Sequence, residues 1–478
     1  MIGFRGRKTR WLLWALLLVS IATPAVGQSE VARTIDSLLD APALRHGVSG
    51  VLVESMRDGR TVYARNADKA FVPGSNMKLL TTAAALDMLG PSFRYKTTLR
   101  VSGKHIGHAL RGDVYIEGGG DPTLRTQDLE SFARGLRKLG IRRIEGGVVG
   151  DESRFGKAER GFAWAWDDEQ WYYAAPAGAL NLNRNAVEVF VRPGRKAGQP
   201  AVVWFNPPSA YLKVENNTVT TAPGGKASVT VNRQHRRNVV VVSGNVPIGY
   251  FNPTPEERVS VDDPALYAAT ALTEALLRAG VSVYEPPRVS VTPASARAVF
   301  AHQSPPLSEI LALVNKPSDN LIAQVLFRSL AAQAHGPCTD AESVNIELAY
   351  LKRIGGDAGA VVIADGAGLS RRDFISPANI VDVLRHAYAG LSFGAFFDSL
   401  PIAGRDGTLS RRMKGTVAEG NVRGKTGYLS NVSALSGYLT TASGETLAFS
   451  ILMNNHLCGN TEAKAVQDAI CVALCGVR

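Results

Sequence analysis

Hydrophobic and polar positions change their spacing twice along the chain. In the first part, VARTIDSLLDAPAL has the amphipathic spacing of a helix, and SGVLVESMRDGRTVYARNAD predicts two strands joined by an Arg-Asp-Gly turn. The next segment, FVPGSNMKLLTTAAALDMLG at residues 71–90, has hydrophobic residues on every side. This pattern is typical of a helix that is buried inside a domain.

A β-rich pattern occupies residues 95–295. Short segments such as ALRGDVYIEGG and NVVVVSGNV alternate with Gly, Pro and Asn, and one helix, DDPALYAATALTEALLRAG, interrupts them. After Pro305 the mixed pattern returns, with a predicted hairpin in SALSGYLTTASGETLAFSILMNN and a final helix in EAKAVQDAICVALC. We therefore expect an α/β (α+β) domain made of both chain ends and split by a large β-rich insertion.

The boundaries follow from these changes of pattern. Residues 28–94 and 296–478 form the predicted split domain. Residues 95–186 and 247–295 form the predicted inserted domain, and residues 187–246 form a nested β-rich domain within it. The length of 478 residues agrees with about three domains at roughly 150 residues each.

Residues 1–27 have the composition of a secretory signal peptide. Basic residues precede the apolar run WLLWALLLVSIA, which is short for a membrane span; they are Arg5, Arg7, Lys8 and Arg10. Small residues at Ala25 and Gly27 offer a cleavage site, so we expect an exported chain that begins near Gln28. An uncleaved anchor is the alternative, and the sequence leaves peripheral contact with a membrane open.

The charge of the chain suits an anionic polymer or surface. The formal net charge is +11, and removal of the four leader charges leaves +7. No basic run is interleaved with aromatic residues as stacking sites would need, so we expect no nucleic-acid partner.

The cysteine content is too low for a scaffold built from disulfides. An exported chain could pair its four cysteines in three ways; they are Cys338, Cys458, Cys471 and Cys475. No histidine pair stands beside them at ligand spacing, so we expect no metal.

The start of the buried helix carries the first candidate chemistry. Ser75 stands where a helix N-cap is expected, which by itself needs no function. Lys78 is unusual there, because a cation in the first turn opposes the helix dipole at a cost of about 0.3–1 kcal/mol. Positions i and i+3 share a face, and burial near the positive helix end makes an amine lose its proton more readily. A neutral amine beside a hydroxyl is a general base beside a nucleophile.

Two further segments offer side chains that would complete such a site. NKPSDNLIA places Ser318 and Asn320 in a tight turn between two helical segments. VRGKTGYL begins a strand with Lys425, Thr426 and Gly427, where a cation and a hydroxyl could hold a carboxylate and the glycine allows close approach. Taken alone, each segment is ordinary turn chemistry.

Together the three segments have a known order. With Ser-x-x-Lys, Ser-Asp-Asn and Lys-Thr-Gly in succession, the chain resembles the penicillin-recognising serine peptidases. The 243 residues from Ser75 to Ser318 hold the β-rich insertion, as in the class C low-molecular-mass penicillin-binding proteins. The segments GGGDPTL, GDESRF, ALNLNRNAVEV and DGAGLSRRD agree with that family. The glycines at 118–120 lack the spacing and the following helix of a nucleotide-binding loop.

The resemblance implies a fold and an activity. The fold would be a β-lactamase/transpeptidase-like catalytic domain with the insertion forming one or two extra domains. The activity would be that of a periplasmic D-alanyl-D-alanine carboxypeptidase and endopeptidase that acts on peptidoglycan stem peptides without a cofactor. β-Lactams would be covalent inhibitors.

The resemblance also implies roles for individual residues. The catalytic side chains would be Ser75, Lys78, Ser318, Asn320 and Lys425. The backbone N–H groups of Ser75 and Tyr428 would form the oxyanion hole, and the substrate would be bound by Thr426, Gly427, Asp151 and Arg371.

Two of the implied roles belong to residues outside the three motifs, Asp151 and Arg371. One position, Tyr428, departs from the family pattern. Asp151, in the insertion, would reach the amino end of a diaminopimelyl side chain, and Arg371 would lie close to the cleft. Tyr428 stands where the family usually has Ser or Thr after Lys-Thr-Gly. Its backbone N–H remains available, but one hydroxyl contact to the substrate carboxylate is put in doubt.

A serine β-lactamase and a catalytically silent wall-binding protein are the two alternative functions. A serine β-lactamase would need an efficient deacylating base, and no Glu-x-x-x-Asn signature stands between the first two motifs in a β-lactamase-like setting. A catalytically silent wall-binding protein would keep the fold, although every side chain of the three motifs is present. The sequence leaves open the balance of the two peptidase activities and the oligomeric state.

Overall fold

The structure, a computed structural model, describes residues 30–336 and 338–478. The predicted signal peptide at residues 1–27 lies outside the described residues. No helix in the described part of the chain is long and apolar enough to cross a membrane.

The α-helices of the described residues are spread over the whole chain. They are α1 Glu30–Leu39, α2 Met77–Leu89, α3 Thr126–Lys138, α4 Pro264–Arg278, α5 Leu307–Asn315, α6 Asn320–His335, α7 Asp340–Arg353, α8 Pro377–Ala389, α9 Phe393–Ser399 and α10 Asn460–Cys475.

The strands are concentrated near the chain ends and in the insertion. They are β1 Val48–Ser55, β2 Thr61–Arg65, β3 Lys96–Val101, β4 Lys104–Ile106, β5 Ala109–Arg111, β6 Val114–Glu117, β7 Arg143–Ile144, β8 Val148–Asp151, β9 Ala186–Arg192, β10 Val202–Asn206, β11 Lys213–Thr221, β12 Thr230–Arg233, β13 Val239–Pro247, β14 Glu257–Ser260, β15 Ser282–Val283, β16 Arg288–Val289, β17 Arg297–Gln303, β18 Arg423–Leu429, β19 Val432–Thr440 and β20 Thr446–Asn454.

An antiparallel sheet made from both chain ends lies at the centre of the part of the fold that they form. Its five strands have the order β18-β19-β20-β1-β2. Helices α1 and α10 cover one face, and α2 and α8 pack on the other. Successive side chains of a strand point to opposite faces of the sheet. Because helices cover both faces, β19 and β20 are buried along almost their whole length. Buried polar residues of these strands are paired inside the sheet, as where the hydroxyls of Ser436 and Ser450 are hydrogen-bonded at 2.9 Å.

Several predicted local elements are confirmed. The Arg-Asp-Gly segment connects β1 to β2, the predicted hairpin is β19 and β20, and the predicted final helix is α10. The N-cap position predicted for Ser75 is wrong, because α2 begins only at Met77. Ser75 lies instead in a short 3-10 turn, Gly74–Asn76, and this turn places its hydroxyl outside the helix.

The insertion contains four small sheets around one apolar core. Their orders are β16-β8-β6-β3-β17, β15-β7-β5-β4, β10-β9-β14 and β11-β13-β12. Helices α3 and α4 pack together against this core. All four sheets contribute side chains to this core, which joins the insertion into one packed unit.

The division into domains stays our proposal, and strand pairing refines where its borders would fall. Strand β17 follows the predicted border at residue 296, but it pairs with β3 of the insertion. Strand β14 follows the predicted border at residue 246, but it pairs with β9 of the nested unit. Pairing therefore supports borders that lie several residues later than the changes of sequence pattern.

The cysteines do not restrain this architecture. All four are free thiols, and Cys471 and Cys475 lie buried on α10.

Candidate active site

A cavity of about 610 Å³ lies where the three sequence motifs meet. Its wall combines the turn before α2, the turn before α6, the strand β18 and part of the insertion. The lining residues are Ser75, Asp168, Tyr173, Ser318, Asn320, Gly368, Leu369, Thr408, Thr426, Gly427, Tyr428, Leu429, Ser430 and Lys464.

The turn that carries Ser75 is fixed to the central sheet. Asn76 donates from Nδ2 to the Lys425 carbonyl oxygen at 2.8 Å, and it accepts from Ser436 Oγ at 2.6 Å. Gly74 has a φ of 52°, which favours glycine, and a Cβ there would lie 3.0 Å from the Tyr428 nitrogen. The turn therefore presents Ser75 beside Gly427 and Tyr428, near the end of the edge strand β18.

Lys78 is the centre of a buried hydrogen-bond network. Its Nζ donates to Ser75 Oγ at 2.9 Å, to Asn320 Oδ1 at 2.6 Å and to the Ala367 carbonyl oxygen at 2.6 Å. The side chain is completely buried. Burial lowers the pKa of Lys78 to about 8, although the nearby Asp365 carboxylate acts in the opposite direction. A neutral amine with two remaining N–H donors could keep its bonds to Asn320 and Ala367 and accept the Ser75 proton.

The loop that supplies the Ala367 carbonyl is held by one carboxylate. Asp365 Oδ1 accepts from the backbone N–H groups of Ala367 at 2.6 Å and Gly368 at 2.5 Å. Its Oδ2 accepts from the Ser370 N–H and from Trp164 Nε1, both at 2.7 Å. These four bonds give a structural role to the aspartate of the DGAGLSRRD segment, which the sequence marked only as similar to the family.

Ser318 lies in a tight turn next to a second buried lysine. The φ of Ser318 is 65°, a conformation that non-glycine residues rarely adopt and that often marks a functional site. Lys425 Nζ donates to Ser318 Oγ at 2.8 Å and to the Thr426 carbonyl oxygen at 2.9 Å. Burial and the nearby charge of Lys78 hold the pKa of Lys425 well below its ordinary value.

The insertion braces the turn that carries Ser318 and Asn320. Arg184 donates to Asp319 Oδ2 at 2.8 Å, while Asp319 Oδ1 caps α6 by accepting from the Ile322 N–H at 2.9 Å. Asn320 Nδ2 donates to the Tyr173 carbonyl oxygen at 2.9 Å. Both links join the insertion to the second motif, so the geometry of this motif depends on residues more than 130 positions away.

The third motif lies on the edge strand β18. Thr426 Oγ1 donates to Thr408 Oγ1 at 2.7 Å. A Cβ at Gly427 would lie 2.4 Å from the Pro73 carbonyl oxygen, so only glycine allows this approach of strand to turn. Tyr428 is 57% exposed, and its backbone nitrogen faces the Ser75 turn.

Four of the residues named from the sequence do not line this cavity. Lys78 and Lys425 lie buried behind its wall, where they donate to Ser75 and Ser318, and the other two are Asp151 and Arg371. The buried Asp151 carboxylate accepts from the backbone N–H groups of Ser153 at 2.9 Å and Thr292 at 2.7 Å. Arg371 is exposed and donates to the carbonyl oxygen of Ser430, which does line the cavity. The structure therefore places Arg371 at the rim and Asp151 in the framework of the insertion.

Sequence reasoning missed several lining residues. The insertion contributes Asp168, which accepts from its neighbour Tyr173 Oη at 2.7 Å, and the C-terminal helix contributes Lys464. Thr408 comes from the segment that precedes β18. The segments of Asp168 and Thr408 carry no motif that separates them from surface loops, and the helical spacing around Lys464 predicts a helix but no contact with the site. In the described residues, no three His, Cys, Asp or Glu side chains are grouped as metal ligands.

Comparison with known proteins gives one consistent result. A family model described as the D-Ala-D-Ala carboxypeptidase 3 (S13) family matches residues 31–475. The chain is 35% identical over 474 residues to the D-alanyl-D-alanine carboxypeptidase of Actinomadura sp. (strain R39), covering 95% of this chain and 87% of the relative. It is 27% identical to D-alanyl-D-alanine carboxypeptidase DacB of Haemophilus influenzae, covering 94% of this chain and 93% of the relative.

Solved structures agree with the sequence comparison. The crystal structure of penicillin binding protein 4 (dacB) from Haemophilus influenzae superimposes with a TM-score of 0.79 and 26% identity. The match covers 91% of this chain and 97% of that one. The same protein in complex with a β-lactam matches with a TM-score of 0.72, 26% identity and coverage of 91% and 98%. The fold inferred from the sequence is thereby confirmed.

Proposed function

Since the chain belongs to the D-Ala-D-Ala carboxypeptidase 3 (S13) family, we propose that its three motifs remove the terminal D-alanine of peptidoglycan stem peptides through an acyl-enzyme on Ser75. The protein is a serine-type D-alanyl-D-alanine carboxypeptidase. The observation that carries the mechanism is the contact of the completely buried Lys78 Nζ with Ser75 Oγ at 2.9 Å.

Acylation begins with proton transfer from Ser75 to Lys78. The neutral Lys78 amine accepts the hydroxyl proton while Ser75 Oγ attacks the carbonyl carbon of the penultimate D-alanine. The developing oxyanion is held by the backbone N–H groups of Ser75 and Tyr428, an interaction worth about 3 kcal/mol per donor in related acyl transfers. Asn320 contacts Lys78 directly and so holds the amine toward the nucleophile.

The departing amine receives its proton from the second motif. Ser318 gives its hydroxyl proton to the leaving nitrogen and is re-protonated by Lys425, whose Nζ lies 2.8 Å from Ser318 Oγ. Lys425 and Thr426 also bind the terminal carboxylate of the substrate. A bound carboxylate stabilises the ammonium form of Lys425, because an opposite charge offsets the cost of burial. Binding of the substrate therefore keeps on Lys425 the proton that the leaving group receives through Ser318.

Water then releases the acyl group from Ser75. A serine β-lactamase needs an efficient deacylating base, and among the residues that line the cavity the acidic one is Asp168, which is bonded to Tyr173. We propose that β-lactams acylate Ser75 and leave slowly, in line with the β-lactam complex of the Haemophilus influenzae relative. We also propose that the enzyme works in the periplasm, where this substrate is found.

A product assay tests the proposed activity. The mature protein is incubated with a pentapeptide muropeptide and with a crosslinked muropeptide dimer, and the products are identified by mass spectrometry. We expect loss of one D-alanine from the first substrate, and cleavage of the second if the chain is also an endopeptidase. Sustained hydrolysis of nitrocefin, or no cleavage of either muropeptide, would contradict the proposal.

The cavity also has a place for the amino group of the stem peptide. The sequence assigned this role to Asp151, but Asp168 is the carboxylate in the cavity wall. We propose that Asp168 binds the side-chain ammonium of a diaminopimelyl residue. Asp168→Asn keeps an acceptor for Tyr173 and removes only the charge, so kcat/KM should fall about fivefold, a typical value for a partly exposed ion pair.

Two controls make the Asp168 prediction specific. The loss should disappear with a substrate whose side-chain amine is acetylated, because that substrate carries no charge to recognise. Asp167→Asn makes the same change on the preceding residue, which does not line the cavity, and should retain wild-type kcat/KM. An equal loss with both substrates would show that Asp168 acts on the shape of the site only.

A further inference from the structure

Position 428, directly after Lys-Thr-Gly, is a tyrosine, whereas a short hydroxyl side chain there would suit binding of a carboxylate. Thr426 and Tyr428 are two positions apart on β18, so their side chains point to the same side of the strand. A short hydroxyl at 428 would stand beside the Thr426 hydroxyl and share the carboxylate with it. The Tyr428 phenol lies at the end of a long rigid ring that is 57% exposed, so its hydroxyl cannot take that place.

The C-terminal helix brings a cation to this side of the strand. Lys464 on α10 lines the same cavity as Ser75 and Thr426. Its Nζ lies 5.7 Å from the centre of the Tyr428 ring, within the range of a cation–π contact. The Tyr428 ring therefore serves as a platform that holds the ammonium at the cavity wall.

A second hydroxyl is also present. Thr408 accepts the hydrogen bond of Thr426 Oγ1 at 2.7 Å and keeps its own O–H as a donor. Thr408 and Thr426 both line the cavity, as does Lys464. The remaining O–H of Thr408 and the Lys464 ammonium are donors that match the acceptor-only chemistry of a carboxylate.

The surrounding charges leave Lys464 available to a ligand. The nearby Asp468 carboxylate is bound by Arg412, at 2.7 Å from Nη2 and 2.9 Å from Nε. Arg412 also donates to the Lys464 carbonyl oxygen at 3.2 Å, which fixes this turn of α10. The carboxylate that does line the cavity, Asp168, lies on the insertion and accepts from Tyr173.

We propose that Lys464 is a specificity-determining residue that binds the terminal carboxylate of the substrate, with Thr408 as its hydroxyl partner and Tyr428 as its support. The inference rests on the proposed carboxypeptidase function. It assigns to the C-terminal helix the contact that a hydroxyl at position 428 would otherwise make.

The test compares substrates with and without the charge. Lys464→Met is measured against wild type on a peptide that ends in D-alanyl-D-alanine and on the same peptide with its C-terminus amidated. We expect KM for the free carboxylate to rise about tenfold with little change in kcat, as for loss of one charge-assisted hydrogen bond. The ratio of wild-type to variant kcat/KM should be near one for the amide.

Further variants separate charge from shape. Lys464→Arg keeps the cation and should restore KM to within about threefold of wild type, because a guanidinium also binds a carboxylate. Lys104→Met makes the same substitution at an exposed position of β4. It should leave KM and kcat unchanged for both peptides. A Lys464→Met enzyme with unchanged KM, or with equal losses on both substrates, would overturn the inference. A wild-type enzyme inactive on both peptides would instead reject the proposed function.

Discussion

Ser75→Ala is expected to abolish both peptide cleavage and acylation by a fluorescent penicillin. The substitution removes the atom that forms the acyl-enzyme, Oγ, while keeping Cβ and the turn that is fixed by Asn76. We expect kcat/KM to fall by at least about 10⁴, since nucleophilic catalysis and its coupled proton transfer are lost together. Intact-protein mass spectrometry after exposure to penicillin would show no mass increase.

The matched control for this variant is Ser131→Ala. Ser131 is an exposed serine on α3, and its hydroxyl donates to a backbone carbonyl of its own helix. This variant should retain full activity and full labelling. If Ser75→Ala were labelled as well as wild type, another residue would be the nucleophile and the mechanism would be wrong.

Lys78→Met is expected to lower kcat/KM by about 10²–10⁴, the usual contribution of a general base. The wild-type enzyme should become more active as pH rises through about 8, because the neutral form of Lys78 is the active one. This rising limb should be missing from the pH profile of the variant. Retention of the same limb would show that another group titrates in the wild type.

The same lysine should make the protein less stable than its methionine variant near neutral pH. The ordinary pKa of 10.5 falls to about 8 in the folded protein, so below pH 8 the fold must hold a buried charge. This costs about 3 kcal/mol, at 1.36 kcal/mol for each pKa unit. Between pH 8 and 10.5 the unfolded chain binds more protons than the folded one, so wild-type stability rises with pH.

Denaturant unfolding at two pH values measures this effect. Lys78→Met also leaves Asn320 Oδ1 and the Ala367 carbonyl without their donor, which offsets part of the gain. The stability of wild type relative to the variant should nevertheless improve from pH 7 to pH 10, because the unpaired acceptors do not titrate. A difference that stays constant over this range would contradict a depressed Lys78 pKa.

The main elements could be read from the sequence because each depends on local spacing. The apolar run at residues 71–90 predicted a buried helix, and the two halves of SALSGYLTTASGETLAFSILMNN predicted the hairpin of β19 and β20. The start of α2 was placed too early, because a 3-10 turn and the first turn of an α-helix have similar residue preferences. Such boundaries depend on tertiary contacts, here those of Asn76 with Lys425 and Ser436.

The sequence by itself determined the order of the three motifs, and with it Ser75, Lys78, Ser318, Asn320 and Lys425 as candidates, since each motif is a short stretch with a fixed spacing. Only the tertiary structure decided which distant residues complete the cavity. Asp168 reaches the cavity from the insertion, and Lys464 reaches it from the last helix. The Asp151 carboxylate instead accepts hydrogen bonds from backbone N–H groups. Spacing along a chain constrains neighbours within a turn or a strand, whereas a cavity wall is assembled by packing between elements that no local pattern relates.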